Sequence, residues 1–320
     1  MAVLGKFLKL FMFVGLLVFT NFFFYQLDKS QQKSVNWIQW RQHLRKKRMK
    51  EMCEGFSKSK YSVDNMTADM FENFVVDDTH RLIYCYIPKV ACTQWKRIML
   101  ALKLGKPYPD LLSIDPSVVH GTNRLSYLND FDTNERMERM ENYTKFLFVR
   151  DPFSRVVSAF RDKFEYKHLH EYYYEIYGRF FLKRYGNHSN PPRTMSEAKS
   201  LGIHPTFQNF VQFLVDPAME KFFDPHWTQM HRLCHPCLIQ YDFVGHQETL
   251  KEDAPELLKK LNVANDIKFP PSTNINKTTL ECVRNMMNTV PLEDRKKMYK
   301  VYEWDFKLFG YRRPKEWLDD

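Results

Sequence analysis

The chain has 320 residues, of which 48 are Lys or Arg and 38 are Asp or Glu, so its formal net charge is +10. Hydrophobic residues make up 44% and aromatic residues 16%, which supports a packed core and excludes disorder for most of the chain. Six cysteines are too few for a small disulfide-built fold. The positive charge indicates an acidic partner: nucleic acid, anionic membrane or polyanionic sugar.

The first predicted element is a membrane anchor at residues 7–25, FLKLFMFVGLLVFTNFFFY. A helix of this length spans about 28 Å, close to the thickness of a bilayer core. A cleaved signal peptide is the alternative, but aromatic residues occupy positions 22–25, where small residues would mark a cleavage site. We therefore expect a cytosolic tail at 1–6, a transmembrane signal anchor at 7–25 and a basic stem at 26–74.

The orientation of this anchor rests on two signals. Lys6 and Lys9 favour a cytosolic amino terminus, but the stem carries ten Lys or Arg against two acids between positions 29 and 60, which nearly balances the positive-inside rule. Four N-glycosylation sequons favour a lumenal body. They begin at Asn65, Asn142, Asn187 and Asn276. Because the stem holds most of the excess charge, the rest of the chain is nearly neutral and gives no argument for nucleic acid.

The globular body is predicted over residues 75–320. A continuous apolar run at Leu82–Ile87 is typical of a buried strand, and apolar residues recur with helical spacing from Trp95 to Leu102. A second apolar run, Lys145–Val149, precedes a helix that begins at Pro152, where a missing N–H costs nothing. This alternation predicts an α/β fold with a mainly parallel sheet flanked by helices.

Each predicted strand leads through a loop into a helix, and such a unit can hold a phosphate. In the first unit, helix N–H groups, Lys89 and the Thr93 hydroxyl could bind an anion. In the second, Arg150 at the strand end and Ser158 in the helix could converge on one phosphate. Taken singly, each also fits an ordinary surface lysine or a paired arginine. Neither a Walker A nor a G-x-G-x-x-G pattern occurs in the chain.

Taken together, the segments CYIPKVACTQWKR and KFLFVRDPFSRVVSAFRDKF resemble the 5′-phosphosulfate and 3′-phosphate motifs of the Golgi carbohydrate sulfotransferases. The chain is similar to the chondroitin/dermatan 4-O-sulfotransferase and HNK-1 sulfotransferase family, and most similar to the chondroitin 4-O branch. The similarity runs over residues 75–312 and includes Leu233–Ala254 and Tyr299–Tyr311. Gln94 departs from the usual Asn, and His246 from a common Lys.

The resemblance implies a sulfotransferase fold of P-loop-kinase type in a single-pass type II Golgi membrane protein. The reaction would transfer a sulfuryl group from 3′-phosphoadenosine 5′-phosphosulfate (PAPS) to the 4-hydroxyl of N-acetylgalactosamine in chondroitin or dermatan, with no metal required. Lys89 would stabilise the leaving phosphate and His120 would take the acceptor proton. The donor-binding residues that the resemblance implies are Pro88, Lys89, Val90, Ala91, Cys92, Thr93, Gln94, Arg150, Asp151, Pro152, Ser154, Arg155 and Ser158.

Other residues compete for two of these roles. His80, His226 and His231 are alternatives to His120 as the base. The glycosaminoglycan acceptor would be a polyanion, and several cations beyond the second motif could contact it, although each also fits a solvated surface. These cations are Arg161, Lys163, Lys167, Arg179, Lys183 and Arg184.

Two further motifs have simpler interpretations. Cys234 and Cys237 form a C-x-x-C without a second such pair, which favours a structural disulfide, local or to other cysteines, over zinc. Cys85 and Cys92 are expected to pack as small hydrophobic side chains. The sequence Asp130-Phe131-Asp132 fits the D-x-D of metal-dependent glycosyltransferases, but its polar surroundings predict a solvated turn.

Three alternative functions stay open at this point. The chain could sulfate another glycan hydroxyl, on terminal N-acetylgalactosamine or on glucuronate. It could be a metal-dependent Golgi glycosyltransferase. It could also be a membrane-tethered glycan-binding protein without catalytic activity, although the presence of Lys89, Arg150 and Ser158 speaks against that loss.

Overall fold

The computed structural model describes residues 37–54, 66–121, 123–165, 171–271 and 278–319. The predicted tail and anchor, the sequons at Asn65 and Asn276, and Lys167 lie outside these residues. Within the described ranges, no helix is long and apolar enough to cross a membrane. The chain divides into two compact units, Met1–Leu44 and Arg45–Asp320. Residues 37–44 of the first unit are helical.

The second unit combines a five-stranded sheet with helices. The strands are β1 (Phe74–Asp77), β2 (Leu82–Cys85), β3 (Ser126–Tyr127), β4 (Thr144–Val149) and β5 (Phe243–His246). The helices are α1 (helical residues 45–53), α2 (Cys92–Leu104), α3 (Pro116–His120), α4 (Thr133–Asn142), α5 (Pro152–Phe160), α6 (Glu171–Tyr173), α7 (Arg179–Tyr185), α8 (Met195–Ser200), α9 (Phe207–Val215), α10 (Met230–Cys234), α11 (Leu250–Lys260), α12 (Leu280–Asn288), α13 (Leu292–Phe309) and α14 (Lys315–Leu318). Short 3₁₀ turns occupy Ala68–Phe71, Leu128–Asp130, Pro217–Phe222 and Gln247–Thr249, and π-helical turns occupy Arg161–Glu165 and Tyr174–Gly178.

The sheet confirms the predicted α/β architecture but is mixed rather than mainly parallel. Its strand order is β3-β1-β2-β4-β5. Strands β2, β4 and β5 are parallel, whereas β1 runs antiparallel to both β2 and β3. The reason lies in the connections: a four-residue turn joins β1 to β2, and a turn that short permits only an antiparallel pair. The parallel half is the part that carries the two predicted strands.

Packing on the sheet explains why the parallel strands read as continuous apolar runs. The side chains of β2 and of Phe146–Val149 in β4 are buried, because the sheet is covered on both faces. Gly245 pairs with Phe148 in the neighbouring strand. A β-carbon at this glycine would meet the Phe148 ring directly, so the site admits no side chain. A second cluster forms between α5, α9 and α13, around Phe160, Phe210 and Tyr302.

Two disulfides confirm that Cys234 and Cys237 form structural bonds to other cysteines and correct the expectation for Cys85. Cys85 does not pack as a free hydrophobic side chain; it is bonded to Cys234, and Cys53 is bonded to Cys237. Cys92 is free and half-buried, as predicted. The end of the predicted stem packs on the body, since α1 is attached through Cys53 and Met49 is buried in the sheet core.

The remaining polar motifs are exposed. Asp132 accepts a hydrogen bond from the Glu135 N–H at 2.9 Å and caps α4, while Asp130 accepts one from the Tyr127 N–H at 2.8 Å. These aspartates form the solvated turn that the sequence predicted. The sequon residues Asn142 and Asn187 are exposed as well.

Candidate active site

The three parallel strands end side by side, and their following segments form one edge of the sheet, here called the carboxyl edge. Residues 86–91, here called the donor loop, follow β2. Arg150 and Asp151 follow β4, and the turn with Glu248 follows β5. Ligands of open α/β sheets bind at such an edge, because helices begin there and direct free N–H groups outward. The two predicted phosphate units are thus neighbours in space.

The donor loop has the backbone geometry of an anion cradle. Lys89 and Ala91 adopt left-handed φ values of 71° and 51°, which non-glycine residues seldom do. Ala91 precedes α2 without a side-chain cap. Within the described residues, the N–H groups of Ala91, Cys92 and Thr93 have no hydrogen-bond acceptor. Successive open N–H groups at a helix N-terminus attract an anion.

Lys89 belongs to the same loop, and its ammonium is held by Asp162. The Nζ–Oδ2 distance is 3.2 Å, and the same carboxylate oxygen also lies 3.2 Å from Lys163 Nζ. Burial lowers the pKa of Lys89 below its usual value, and the Asp162 charge partly offsets that effect. One carboxylate therefore serves two lysines, which leaves net positive charge next to the cradle.

Arg150 supplies a second cation at the end of the next strand. Its Nη1 donates a hydrogen bond to the Lys89 carbonyl at 3.1 Å. No ion pair within the described ranges engages it, which removes the simpler interpretation of pairing with Asp151. Burial lowers the pKa of Arg150, although the charges of Glu248 and Asp151 oppose that effect. A largely buried guanidinium without a carboxylate contact is suited to a phosphate.

The other residues of the second motif build the frame around Arg150. Asp151 accepts the Ser154 N–H at 2.8 Å and caps α5. Glu248 joins two elements: it accepts the Asp151 N–H at 2.9 Å and the Tyr311 hydroxyl at 2.9 Å. Ser158 is half-buried one turn after Ser154, on the same face of α5. Among the predicted donor ligands, Asp151 is thus engaged within the protein, while Ser158 stays available.

Arg155, also predicted as a donor ligand, has another arrangement. Its side chain is buried and its three nitrogens each donate to a main-chain carbonyl: Pro88 at 3.0 Å, Thr228 at 2.6 Å and Pro225 at 2.7 Å. With all three nitrogens occupied, the guanidinium acts as a clamp that joins the donor loop to residues 225–228. In the first motif, Gln94 likewise points its Oε1 to Arg97, at 3.1 Å.

His120, the predicted base, ends α3 and reaches the first turn of α2. Its Nε2 lies 3.0 Å from the Thr93 hydroxyl. Partial desolvation, with the charges of Lys96, His226 and Lys163, lowers the pKa of His120 to about 4. The ring is therefore neutral at physiological pH, and its Nε2 is already in contact with Thr93 at the start of α2.

The competing histidines separate clearly. His80 pairs with Asp77 at 2.7 Å in the β1–β2 turn, at the opposite end of the sheet. His231 pairs with Asp305 at 2.7 Å. His226 pairs with Asp224 at 2.6 Å, in the segment that the Arg155 clamp holds against the donor loop. The charges of His226 and Lys163 contribute to the lowered pKa of His120.

The predicted acceptor cations also differ in place. Lys163 lies next to Asp162 and 4.4 Å from the ring centre of Tyr173. Arg161 pairs with Glu165 at 3.0 Å. Arg179, Lys183 and Arg184 belong to α7, which packs on α9.

Several residues of the site were not predicted. Asp162, Asp224 and Glu248 are ordinary acids in the sequence, and only the fold brings them to the carboxyl edge. A signal existed for Asp162, because it lies within the quoted second motif, in FRDKF.

Comparison with known proteins gives a family and several relatives for this chain. The chain matches the sulfotransferase family over residues 72–312. It is 44% identical over 273 residues to carbohydrate sulfotransferase 12 of Mus musculus, covering 81% of this chain and 64% of the relative. It is 37% identical to carbohydrate sulfotransferase 11 of Rattus norvegicus, covering 85% and 76%, and 33% identical to carbohydrate sulfotransferase 9 of Homo sapiens, covering 90% and 64%.

The chain thus spans less than two thirds of the length of the mouse relative. No solved structure gives a significant match. The family match covers the whole carboxyl edge, from the donor loop through Arg150 to Glu248 and Tyr311, and agrees with the resemblance read from the two motifs. The chain belongs to the sulfotransferase family.

Proposed function

We propose that this protein transfers a sulfuryl group from PAPS to the 4-hydroxyl of N-acetylgalactosamine in chondroitin or dermatan. The observation that carries the proposal is the adjacency of two anion sites, since Arg150 donates to the carbonyl of Lys89 itself. A donor with phosphate groups at two positions fits two neighbouring cationic sites. The carbohydrate acceptor is supported by the names of the relatives, and the 4-hydroxyl by the sequence resemblance.

In this proposal each part of the carboxyl edge has a chemical task. The open N–H groups of residues 91–93 and the Lys89 ammonium bind the 5′-phosphosulfate. As the sulfur–oxygen bond to the leaving phosphate breaks, negative charge grows on that phosphate, and a fixed cation there lowers the barrier. Arg150 and Ser158 bind the 3′-phosphate and so select PAPS over nucleotides that lack it.

The acceptor hydroxyl must also lose a proton. Two imidazoles are near the donor loop, His120, which the sequence predicted, and His226. Lys163, beside Asp162, is placed to contact a carboxylate or sulfate of a polyanionic acceptor. No step of this chemistry requires a metal.

We place the enzyme in the Golgi membrane, with a single type II anchor at 7–25 and the catalytic domain, residues 75–320, in the lumen. Two disulfides support an oxidising compartment, because such bonds seldom persist in the cytosol. The exposed sequon residues Asn142 and Asn187 support it as well. Sensitivity of the expressed protein to a glycosidase tests this topology.

The deciding experiment is transfer of ³⁵S from labelled PAPS by the full-length protein, in detergent and EDTA, to desulfated chondroitin, desulfated dermatan and other glycans. We expect incorporation into the first two, with disaccharide analysis placing the label on position 4. Label on glucuronate or only on terminal N-acetylgalactosamine would favour the alternative acceptors. PAPS binding without transfer to any glycan would favour a non-catalytic glycan-binding protein.

A further inference from the structure

A single buried guanidinium joins the donor loop to a segment that the sequence left without a role. Arg155 holds the carbonyl of Pro88 at 3.0 Å and that of Pro225 at 2.7 Å. Lys89 follows the first proline and His226 follows the second. Because the two carbonyls contact nitrogens of one guanidinium, the backbones of Lys89 and His226 must run next to each other. The fold thus brings the backbone of His226 next to that of Lys89, and the Lys89 charge acts on the imidazole.

This imidazole has a defined orientation. Asp224 Oδ1 lies 2.6 Å from His226 Nδ1 and also accepts the His226 main-chain N–H at 2.8 Å. The Tyr173 hydroxyl lies 3.3 Å from the same Nδ1, and its ring meets the imidazole edge-on at 5.8 Å. With the carboxylate at Nδ1, the proton resides on that nitrogen, and the lone pair of Nε2 is directed away from Asp224. No group in the described part of the chain forms a hydrogen bond with Nε2.

The surroundings of His226 act on its pKa in opposite directions, with a net lowering. Burial lowers the pKa of His226, the Asp224 hydrogen bond raises it, and the fields of Lys163 and Lys89 lower it. His120 also faces this region. On its own segment, Asp224 stays ionised, because the hydrogen bonds and charge of His226 more than offset the effect of burial and lower the pKa of that carboxyl.

His120 differs in both respects. Its Nε2 is already 3.0 Å from the Thr93 hydroxyl, and no carboxylate among the described residues forms a hydrogen bond with its ring. Thr93 lies in the cradle for the donor. His120 is therefore arranged to hold the start of α2, whereas His226 presents an Nε2 without a hydrogen bond from any described residue.

We propose that His226 is the base of the sulfuryl transfer and that Asp224 is its positioning residue. The inference rests on the proposed function. In the step, the acceptor oxygen forms a bond to sulfur, and the bond between sulfur and the 5′-phosphate oxygen breaks. The acceptor proton passes to His226 Nε2, and adenosine 3′,5′-bisphosphate leaves with the bonding electrons on its phosphate.

The test compares histidine variants of the full-length protein. For His226→Gln, kcat for ³⁵S transfer should fall about 100-fold or more, the usual contribution of a general base. The Kd for adenosine 3′,5′-bisphosphate should stay within about 3-fold, because the donor site is intact. Free imidazole should partly restore activity to His226→Ala, which a structural role would not allow.

Three further variants sharpen the test. His120→Gln should lose less kcat than His226→Gln and should weaken donor binding more. His80→Gln is the matched control, since it breaks an equivalent Asp–His pair at the other end of the sheet and should change kcat by less than about 2-fold. In Asp224→Asn, the acidic limb of kcat/KM should move to lower pH, because the carboxylate that raises the pKa of His226 is gone.

The outcomes separate the two proposals. Wild-type protein that transfers sulfuryl while His226→Gln keeps kcat within about 5-fold would overturn the base assignment alone. The same holds if His120→Gln loses far more kcat than His226→Gln, or if the limb in Asp224→Asn does not move. Wild-type protein that transfers to no glycan would overturn the proposed function, and the base with it.

Discussion

The two ends of the sheet carry similar polar residues but differ in how far those residues are hydrogen-bonded within the protein. At the end with the β1–β2 turn, here called the turn end, the Asp78 carboxylate accepts hydrogen bonds from Arg139 at 2.9 Å and from the Tyr143 hydroxyl at 2.8 Å. Lys145 Nζ donates to two carbonyls at the same end. At the carboxyl edge, Arg150 has one carbonyl partner, and the N–H groups of 91–93 have none within the described ranges. Both ends hold an Asp–His pair.

The difference shows which polar groups are structural. A buried polar group that is fully paired stabilises the fold, whereas one that stays unpaired costs free energy unless a ligand completes it. At the turn end, Asp78 and Lys145 are paired within the protein. At the carboxyl edge, the N–H groups of 91–93 have no acceptor among the described residues, and Arg150 has no carboxylate contact there, so an anion would complete both.

Removal of the Lys89 charge tests the role of the carboxyl edge most directly. We expect Lys89→Met to lower kcat at least about 1,000-fold, because the growing charge on the leaving phosphate loses its cation. Radiolabel transfer at saturating PAPS measures this loss. Arg139→Met, which removes a cation at the turn end, is the control and should leave kcat unchanged. Substantial activity in Lys89→Met would remove the donor loop from the mechanism.

The second prediction concerns donor selection by Arg150. Loss of charge-assisted hydrogen bonds to a phosphate costs about 2–3 kcal/mol, so Arg150→Ala should weaken binding of adenosine 3′,5′-bisphosphate about 100-fold. Binding of adenosine 5′-monophosphate, which lacks the 3′-phosphate, should change little. Calorimetric titration of both nucleotides measures the preference. A variant that still favours the 3′-phosphorylated nucleotide would show that Arg150 does not read that group.

The third prediction concerns the Arg155 clamp. Arg155→Met leaves three main-chain carbonyls without their donor in a buried site, and each such loss costs about 1–3 kcal/mol. We expect the free energy of unfolding to fall by about 3 kcal/mol or more, as measured by urea titration. Because the clamp joins Lys89 to His226, kcat should fall more than donor affinity does. Unchanged kcat in the folded variant would show that the two segments keep their places without Arg155.

The sequence predicts the parallel half of the fold well because the signals there are local. The apolar runs before Lys89 and Arg150, and Pro152 at a helix start, identify both strands and both loops. The antiparallel half was missed, because β1 and β3 are short and β3 pairs with a strand that is distant in sequence. The sequence predicted disulfides for Cys234 and Cys237, local or to other cysteines, but not their partners Cys85 and Cys53, since composition cannot pair cysteines separated by 149 and 184 residues.

The site shows the same division. Lys89, Arg150 and Ser158 lie in contiguous motifs, so the sequence could identify them. The sequence gives no local signal for His226, because three long-range hydrogen bonds of Arg155 place its segment. An arginine in a motif looks the same in sequence whether its guanidinium binds a ligand or the backbone. Arg155, which was predicted to bind the donor, instead holds the segment that contains His226.

The smallest predicted effect lies at the turn end. The Arg139 hydrogen bond lowers the pKa of Asp78 below its usual value, which outweighs the opposing effect of burial, and the Tyr143 hydroxyl adds to the lowering. A lowered pKa in the folded state means that this carboxylate stabilises the protein above the pKa of the unfolded chain, about 3.9, and that the contribution is lost as pH falls through the folded pKa. Asp78 is half exposed, so we expect Asp78→Asn to cost less than about 1 kcal/mol at pH 7 and still less near pH 2. Urea titrations at the two pH values measure the difference, and ³⁵S transfer should stay at the wild-type rate, because a fully paired edge has no part in binding an anion; a clear loss of transfer would mean that the two ends of the sheet are coupled.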